Sequence, residues 1–105
     1  MNWYRKAITD RSETNSPRKE PGRGLPIVST PGALNAFPQE FLRECIGRFK
    51  QSDFGDIGSE DLQSNLDNLA YNEKGYMMGV YQTGSKTLWI ICDGVAVTLL
   101  LPEEY

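Results

Sequence analysis

The sequence predicts an α+β fold, with two or three helices packed on a three- or four-stranded antiparallel β-meander. Two observations carry this prediction. Apolar residues in the middle of the chain recur at helical spacing, and those of the last third fill short runs divided by turn signals. Length adds a third, because 105 residues, 39% of them apolar, provide one compact core and not two.

The strongest helix signal covers residues 38–51. Its apolar residues form a single stripe at helical spacing: Phe41, Leu42, Cys45, Ile46 and Phe49. We expect this stripe to pack against the strand that contains Trp89. Before it, Thr30 followed by Pro31 is typical of an N-cap and the first turn of a brief helix.

A second helix is predicted after Ser59, which we expect to act as its N-cap. The expected buried face of this helix consists of four residues: Leu62, Leu66, Leu69 and Ala70. Gly75 is expected to end the helix in a left-handed conformation.

Three strands of the predicted meander lie in the last third, at 76–82, 87–92 and 95–101. A three-residue loop at 83–85 and a two-residue hairpin at Asp93-Gly94 are expected to connect them. The run 87–92 is apolar at nearly every position, so we expect a central strand covered on at least part of both faces. The short run 25–29 is expected to be an edge strand or a strand start, because Pro26 cannot donate a ladder hydrogen bond.

Charge divides the chain into an arm and a domain. Residues 1–24 carry six basic and three acidic residues, giving +3, whereas residues 25–105 carry five basic and eleven acidic residues, giving −6. Since 9–24 is polar, we predict a flexible basic arm over 1–24 and a single α+β domain over 25–105. Within the arm, two interpretations are open for Trp3, Tyr4 and Ile8. They are disordered or touch the domain surface loosely, or they dock as a short strand or hook, with a second copy as one candidate surface.

Composition excludes several classes of function. The chain has no histidine, and its two cysteines, Cys45 and Cys92, are far apart and lack a Cys-x-x-Cys partner. No Walker, Rossmann or nucleophile motif is present, so we expect no enzyme activity, no cofactor and no metal. No apolar run could span a bilayer and no signal peptide is evident, so a cytoplasmic protein without membrane contact is expected.

The residues that stand out as a candidate site are acidic: Asp53, Asp56, Glu60 and Asp61. Helix capping and solvation explain them in part, and a protein-binding surface or a site for Mg²⁺ or Ca²⁺ are the alternatives. Phosphate contacts would instead use the basic residues of the arm: Arg5, Lys6, Arg11, Arg18, Lys19 and Arg23. Tyr76, Tyr81 and Trp89 form either part of the core or an aromatic face that stacks on single-stranded bases.

Several ordered motifs resemble a family of short bacterial proteins often carried on plasmids, phages and other mobile elements. The resemblance covers about residues 25–105 and rests on the segments 30–34 (TPGAL), 52–56 (SDFGD), 88–91 (LWII) and 98–105 (TLLLPEEY), with Glu60, Asp61 and Asn65 between them. The family usually has Gly-Asp-Trp-Gly where this chain has SDFG, and a longer polar turn where this chain has Cys92-Asp93-Gly94. The resemblance implies a mobile-element context and no particular activity.

The function expected from these observations is that of a non-enzymatic protein–protein interaction module. In a mobile element, its acidic surface would inhibit a host restriction or CRISPR system by binding a basic protein channel. One alternative is a nucleic-acid-associated accessory protein that uses the basic arm, and another is a carboxylate-dependent enzyme. The partner is expected to be a protein, and the chain itself a monomer or a homodimer.

Overall fold

The computed structural model describes residues 18–105. The elements follow in the order β1 (Ile27–Ser29), α1 (Pro31–Ala36), α2 (Gln39–Lys50), α3 (Ser59–Tyr71), β2 (Met77–Thr83), β3 (Lys86–Cys92), β4 (Val97–Leu100) and a terminal 3-10 turn (Pro102–Glu104). Three helices and a four-stranded sheet confirm the predicted α+β class. In this part of the chain, none of the helices has the length and apolar character needed to cross a membrane.

The sheet is mixed rather than purely antiparallel. Strands β2, β3 and β4 form the predicted meander, but β1 lies beside β4 and runs parallel to it, giving the order β1-β4-β3-β2. A parallel neighbour requires a long crossover, and the connection from β1 to β4 contains the three helices and strands β2 and β3. The antiparallel prediction is therefore wrong for β1. A strand of three residues is too short for its sequence to indicate which strand it pairs with or in which direction.

Both hairpin loops differ from their predicted lengths. Thr83 pairs with Lys86, so the first loop has two residues, with Gly84 at φ 61°. Cys92 pairs with Val97, so the second loop runs over 93–96. There the Asp93 carboxylate accepts hydrogen bonds from the Val95 and Ala96 amides, at 2.9 and 3.0 Å, and stabilises a wider turn than the Asp-Gly pair suggests.

Two N-cap residues were predicted from the sequence, Thr30 and Ser59, and the structure confirms only Thr30. Thr30 is the N-cap of α1, and its hydroxyl accepts a hydrogen bond from the Ala33 amide at 3.1 Å. The N-cap of α3 is Gly58, without a side-chain bond, and Ser59 is already helical. The chain leaves α3 through Asn72, and Gly75 does not have a positive φ, so the expected left-handed cap is wrong.

Alternate strand residues divide the sheet into an inner and an outer face. The inner face carries Ile27, Val97, Cys92 and Met77 in one row, then Leu99 and Ile90, then Leu88 and Tyr81. These residues share one core cluster with the apolar stripe of α2: Leu42, Cys45, Ile46 and Phe49. The outer face carries the remaining strand residues of two rows: Val28, Thr98, Ile91 and Met78, then Leu100, Trp89 and Val80.

The expected packing of α2 against the strand that contains Trp89 is confirmed, and it uses the inner-face residues of that strand. Trp89 lies on the outer face, and α2 shares its core cluster with Leu88 and Ile90 of the inner face. Phe41 is only partly buried, because its ring stacks on Phe37 at 5.1 Å at the margin of the core.

The edge of β2 is covered by side-chain and loop contacts. The Asn65 side chain donates to the Met78 carbonyl at 2.8 Å and accepts from the Met78 amide at 3.2 Å. The segment around Gly55 bonds both polar groups of Val80, at 2.8 and 2.9 Å. Gly55 has φ 74°, and a Cβ there would lie 1.9 Å from the Val80 oxygen, so only glycine allows this approach. These bonds protect an edge that could otherwise pair with another chain.

Residues 18–24 pack against the domain rather than forming part of a flexible arm. Glu20 is 7% exposed and its carboxylate forms an ion pair with Lys50, while the Gly22 amide donates to the Glu73 carbonyl at 2.7 Å. These contacts, together with the full burial of Pro21, differ from the flexible arm predicted for these seven residues. Residues 1–17, including Trp3, Tyr4 and Ile8, lie outside the described part of the chain, and the prediction stands untested there.

Candidate functional site

The Asp53 carboxylate forms hydrogen bonds that stabilise the loop following α2. Its two carboxylate oxygens accept hydrogen bonds from Arg48 at 2.7 and 3.1 Å, and one oxygen also accepts from the Gly55 amide at 3.2 Å. The hydrogen bond from Arg48 holds the pKa of Asp53 below its ordinary value. A bidentate pair of this kind fixes the loop and neutralises the charge, so Asp53 offers little to a partner or to a metal ion.

Arg48 and Asp53 are tied in turn to the inner face. The Arg48 guanidinium lies over the Tyr81 ring, 5.0 Å from its centroid, and the Tyr81 hydroxyl donates to the Asp53 carbonyl at 2.8 Å. Burial raises the pKa of the Tyr81 hydroxyl. The Tyr81 ring also occupies the space above Gly79, where a Cβ would meet the hydroxyl at 2.5 Å. Tyr81 is therefore a core residue and cannot share an aromatic face with Trp89.

Asp56, Glu60 and Asp61 differ from Asp53 because their carboxylates have no ion-pair partner among residues 18–105. All three are exposed. The Asp56 amide donates to the Val80 carbonyl at 2.8 Å, which positions its loop, and Glu60 and Asp61 occupy the first turn of α3. The predicted acidic group is thus divided into one neutralised carboxylate and three free ones.

Helix α3 exposes more apolar surface than the sequence indicates. Leu62 and Leu66 were expected to be buried, yet they are 40% and 41% exposed, and Ala70 is exposed as well. The reason is that α3 lies along the edge of β2, where only Asn65 and Leu69 become buried. Asn65 lies in the middle of the leucine stripe and bonds the edge of β2, while Leu69 joins the core cluster.

The exposed side of α3 combines this leucine pair with negative charge. Leu62 and Leu66 are four residues apart and so lie one above the other on the helix. Beside them run Glu60, Gln63 and Asp67, with Gln63 donating to Asp67 at 2.9 Å. The helix contains three acidic residues and no basic one. We refer to Glu60, Leu62, Gln63, Leu66 and Asp67 as the α3 surface.

Asp61 lies on the opposite flank of α3, toward Tyr76. Asn68, seven residues after Asp61 and therefore on the same flank, donates to the Tyr76 carbonyl at 2.7 Å. Burial, a hydrogen bond with the Tyr105 side chain, and the negative charges of Tyr105, Asp61 and Asp93 together raise the pKa of Tyr76 to about 12. Tyr105 also packs edge-on against Trp89, with ring centroids 5.6 Å apart, a contact that sequence reasoning missed.

The described basic residues of the predicted arm are largely engaged within the chain. The Lys19 ammonium donates to the Ala70 carbonyl near the end of α3 at 2.7 Å. Arg23 forms ion pairs with Glu73 at 3.0 Å and Glu20 at 3.9 Å, and the hydrogen bond to Glu73 raises its pKa. Arg18 is exposed. Arg5, Lys6 and Arg11 lie outside the described residues.

The thiols and carboxylates of residues 18–105 form no reactive cluster. Burial raises the pKa of Cys45 to about 12 and also raises the pKa of Cys92, so both remain protonated thiols at neutral pH. No three His, Cys, Asp or Glu side chains in this part of the chain are close enough to hold a metal ion together.

Comparison of the chain with protein-family models, curated proteins and solved structures gave no match. The resemblance to short proteins of mobile elements therefore stays a prediction from the sequence motifs.

Proposed function

We propose that this protein is a non-enzymatic binding module whose α3 surface holds a basic surface of another protein. The observation that supports the proposal is the exposure of Leu62 and Leu66, about 40% each, beside carboxylates that form no ion pair within residues 18–105. Exposed leucines in helical register are typical of groove-binding helices. Their position next to free negative charge distinguishes this surface from the neutralised loop at Asp53.

The two components of the α3 surface would act differently in binding. Apolar side chains that become desolvated provide most of the affinity, and their loss raises the dissociation rate. Free carboxylates attract a basic partner during diffusion, and their loss lowers the association rate in a salt-dependent way. Asp56 and Asp61 extend the negative field around the same helix and would contribute to the second effect.

The partner that this chemistry fits is a protein with a basic groove lined by some apolar residues. Nucleic-acid channels of restriction and CRISPR proteins have this character, and occupying such a channel would inhibit the host system. We therefore propose these proteins as the first partner class to test, in keeping with the mobile-element resemblance.

The test is kinetic and uses a partner captured from host lysate, identified by mass spectrometry and then purified. Glu60→Lys with Asp67→Lys should lower the association rate about tenfold at low salt, and Leu62→Ser with Leu66→Ser should mainly raise the dissociation rate. The matched control is Glu40→Lys with Glu44→Lys, the same charge change on exposed positions of α2. Binding that is lost in the α2 control and kept in both α3 variants would contradict the proposal.

Nucleic-acid binding through the arm predicts a different result in the same assay. The parent chain would bind duplex DNA with an affinity that falls steeply with salt, and the α3 variants would bind it as the parent does. Because Lys19 and Arg23 are occupied by intramolecular contacts, this alternative depends on Arg18 and on the basic residues outside the described part of the chain.

A further inference from the structure

One end of the inner face is closed by a segment that forms neither helix nor strand. In this segment, residues 18–24, Pro21 is fully buried. A Cβ at Gly22 would overlap a methyl group of Val97 and would lie 3.7 Å from the sulfur of Cys92. The backbone at Gly22 therefore lies directly against these two inner-face residues, and we call residues 18–24 the strap.

Three of the contacts that hold the strap converge on Glu73, which lies just after α3. The Glu73 carboxylate accepts hydrogen bonds from the Glu20 amide at 2.7 Å and from the Arg23 side chain at 3.0 Å. Its carbonyl accepts from the Gly22 amide at 2.7 Å. The side chain of Glu73 is 28% exposed, so water reaches these bonds. One accessible residue thus provides much of the attachment.

Two further contacts tie the strap to the ends of two helices. The Glu20 carboxylate forms an ion pair with Lys50 at the end of α2. The Lys19 ammonium donates to the Ala70 carbonyl near the end of α3 at 2.7 Å. Helix α3 has no basic residue in its own last turn, so Lys19 supplies the positive charge that a helix C-terminus favours.

Apolar burial contributes little to the attachment of the strap. Pro21 is the one apolar side chain among residues 18–24, and the remaining contacts are polar. The strap also has two glycines in the left-handed region, Gly22 at φ 72° and Gly24 at φ 83°. Segments with few buried apolar contacts open at a lower free energy than the core does. The strap is therefore the described segment that we expect to open first.

The two cysteines of the chain differ in their relation to the strap. Both are 0% exposed and belong to the core cluster. Cys45 lies in the apolar stripe of α2, whereas Cys92 ends β3 beneath Gly22. Opening of the strap alone uncovers Cys92 and leaves Cys45 packed between α2 and the sheet.

We propose that the strap is a releasable closure of the inner face. In the closed state, which the structure shows, Glu73 and Lys50 hold it over Cys92. In the open state the strap detaches while the three helices and the sheet stay folded. The Cys92 thiol then becomes accessible, and Lys19 is withdrawn from the end of α3. This switch operates in the free protein and does not depend on binding at the α3 surface.

The experiment is alkylation of the full chain by iodoacetamide in increasing urea below the unfolding transition, with each cysteine quantified by mass spectrometry. In the absence of urea, Cys92 should react about tenfold or more faster than Cys45, because Cys45 requires global unfolding. The Cys45 rate should rise steeply with urea and the Cys92 rate only slightly, since strap opening exposes little surface. Equal rates with equal urea dependence would show that Cys92 is reached only by global unfolding and would overturn the proposal.

Two glycine variants that carry the same strain complete the test. Gly24 and Gly84 both have positive φ, at 83° and 61°, and a Cβ at either would meet no atom within 4 Å. Gly24→Ala strains the closed strap and should raise the Cys92 rate about fivefold. Gly84→Ala strains the hairpin at the opposite end of β2 and β3 from Cys92, in the closed and the open state alike. It should raise the Cys45 rate and leave the Cys92 rate unchanged.

Glu73→Ala tests the polar attachment and should raise the Cys92 rate about tenfold, because it removes a charged acceptor of two hydrogen bonds. Glu40→Ala, at an exposed position of α2, is its control and should leave that rate unchanged. An unchanged Cys92 rate in both Gly24→Ala and Glu73→Ala would overturn the proposal. So would a Cys92 rate that rises in Gly84→Ala as much as in Gly24→Ala.

Discussion

The two faces of the sheet are built by the same strands and have very different surroundings. In β3, Leu88, Ile90 and Cys92 are fully buried in the core cluster, whereas Trp89 and Ile91, which alternate with them, lie outside it. Both sets are apolar, so the sequence of β3 gives no alternation from which to distinguish them. The comparison shows that a continuous apolar strand indicates a central position in a sheet but does not show that helices cover both of its faces.

The edges of the sheet explain why the coverage is one-sided. Helix α3 could have covered the outer face, yet it is held beside β2 by the two Asn65 bonds to Met78. A buried amide must satisfy its hydrogen bonds, and the open strand edge supplies the partners. The two bonds of Asn65, together with the packing of Leu69 in the core cluster, attach α3 to the edge of β2.

The largest expected effect is on the inner face. Phe49→Ala should lower the free energy of unfolding by about 3–5 kcal/mol, since Phe49 is 1% exposed and packs edge-on against Phe54 at 5.4 Å. Phe41→Ala, on the same helix but only partly buried, should cost less than half as much. Urea unfolding measures both values, and equal losses would show that α2 packs differently from the structure.

The sharpest test of the comparison uses neighbouring residues of β3. Ile90→Thr buries a hydroxyl in the core and should cost about 2–3 kcal/mol, whereas Ile91→Thr on the outer face should cost about 1 kcal/mol. The chemical change is identical, so backbone propensity cancels. A greater loss for Ile91→Thr than for Ile90→Thr, by thermal or urea unfolding, would reverse the assignment of the faces.

Removal of the amide that fixes α3 should have an intermediate effect. Asn65→Ala leaves the Met78 amide and carbonyl without partners and should cost about 1–3 kcal/mol. It should also promote self-association, which size-exclusion chromatography detects, because the edge of β2 becomes available for pairing. Asn68→Ala, which removes one bond at a more exposed position, is the control. An Asn65→Ala protein as stable as this control would mean that α3 is held by other contacts.

The smallest expected effect is a loss of stability at alkaline pH. Burial raises the pKa of Cys45 from 9.0 to about 12 and raises the pKa of Tyr81 as well. Since the folded value of Cys45 lies above the unfolded one, its stabilising contribution is complete below pH 9.0 and is lost as the pH rises toward about 12. Cys45→Ala should therefore show a shallower decline in unfolding free energy over this range. A decline equal to that of the parent would assign it to the other groups whose pKa is raised: Tyr76, Tyr81 and Cys92.

The four acidic residues of the predicted site have different surroundings in the structure, and the sequence alone does not predict this difference. Asp53 and Asp56 are alike in type and nearly adjacent, but Arg48 is five residues before Asp53 and reaches it with two hydrogen bonds. Sequence patterns identify the turn between them and cannot tell which carboxylate is neutralised, because that depends on how the loop folds back on α2. The ion pair with Arg48 distinguishes Asp53 from Asp56 and from the carboxylates of α3, which form no ion pair within residues 18–105.

Sequence by itself determined the α+β class, the helix over 38–51, the three meander strands and the N-cap at Thr30, because each depends on local spacing or on neighbouring backbone groups. Tertiary structure alone decided the parallel position of β1, the exposure of Leu62 and Leu66, the separation of Tyr81 from Trp89, and the attachment of residues 18–24. These features depend on contacts between residues distant in sequence. Hydrophobic periodicity indicates which side of a helix or strand is apolar. Only the tertiary structure shows which residues pack against that side.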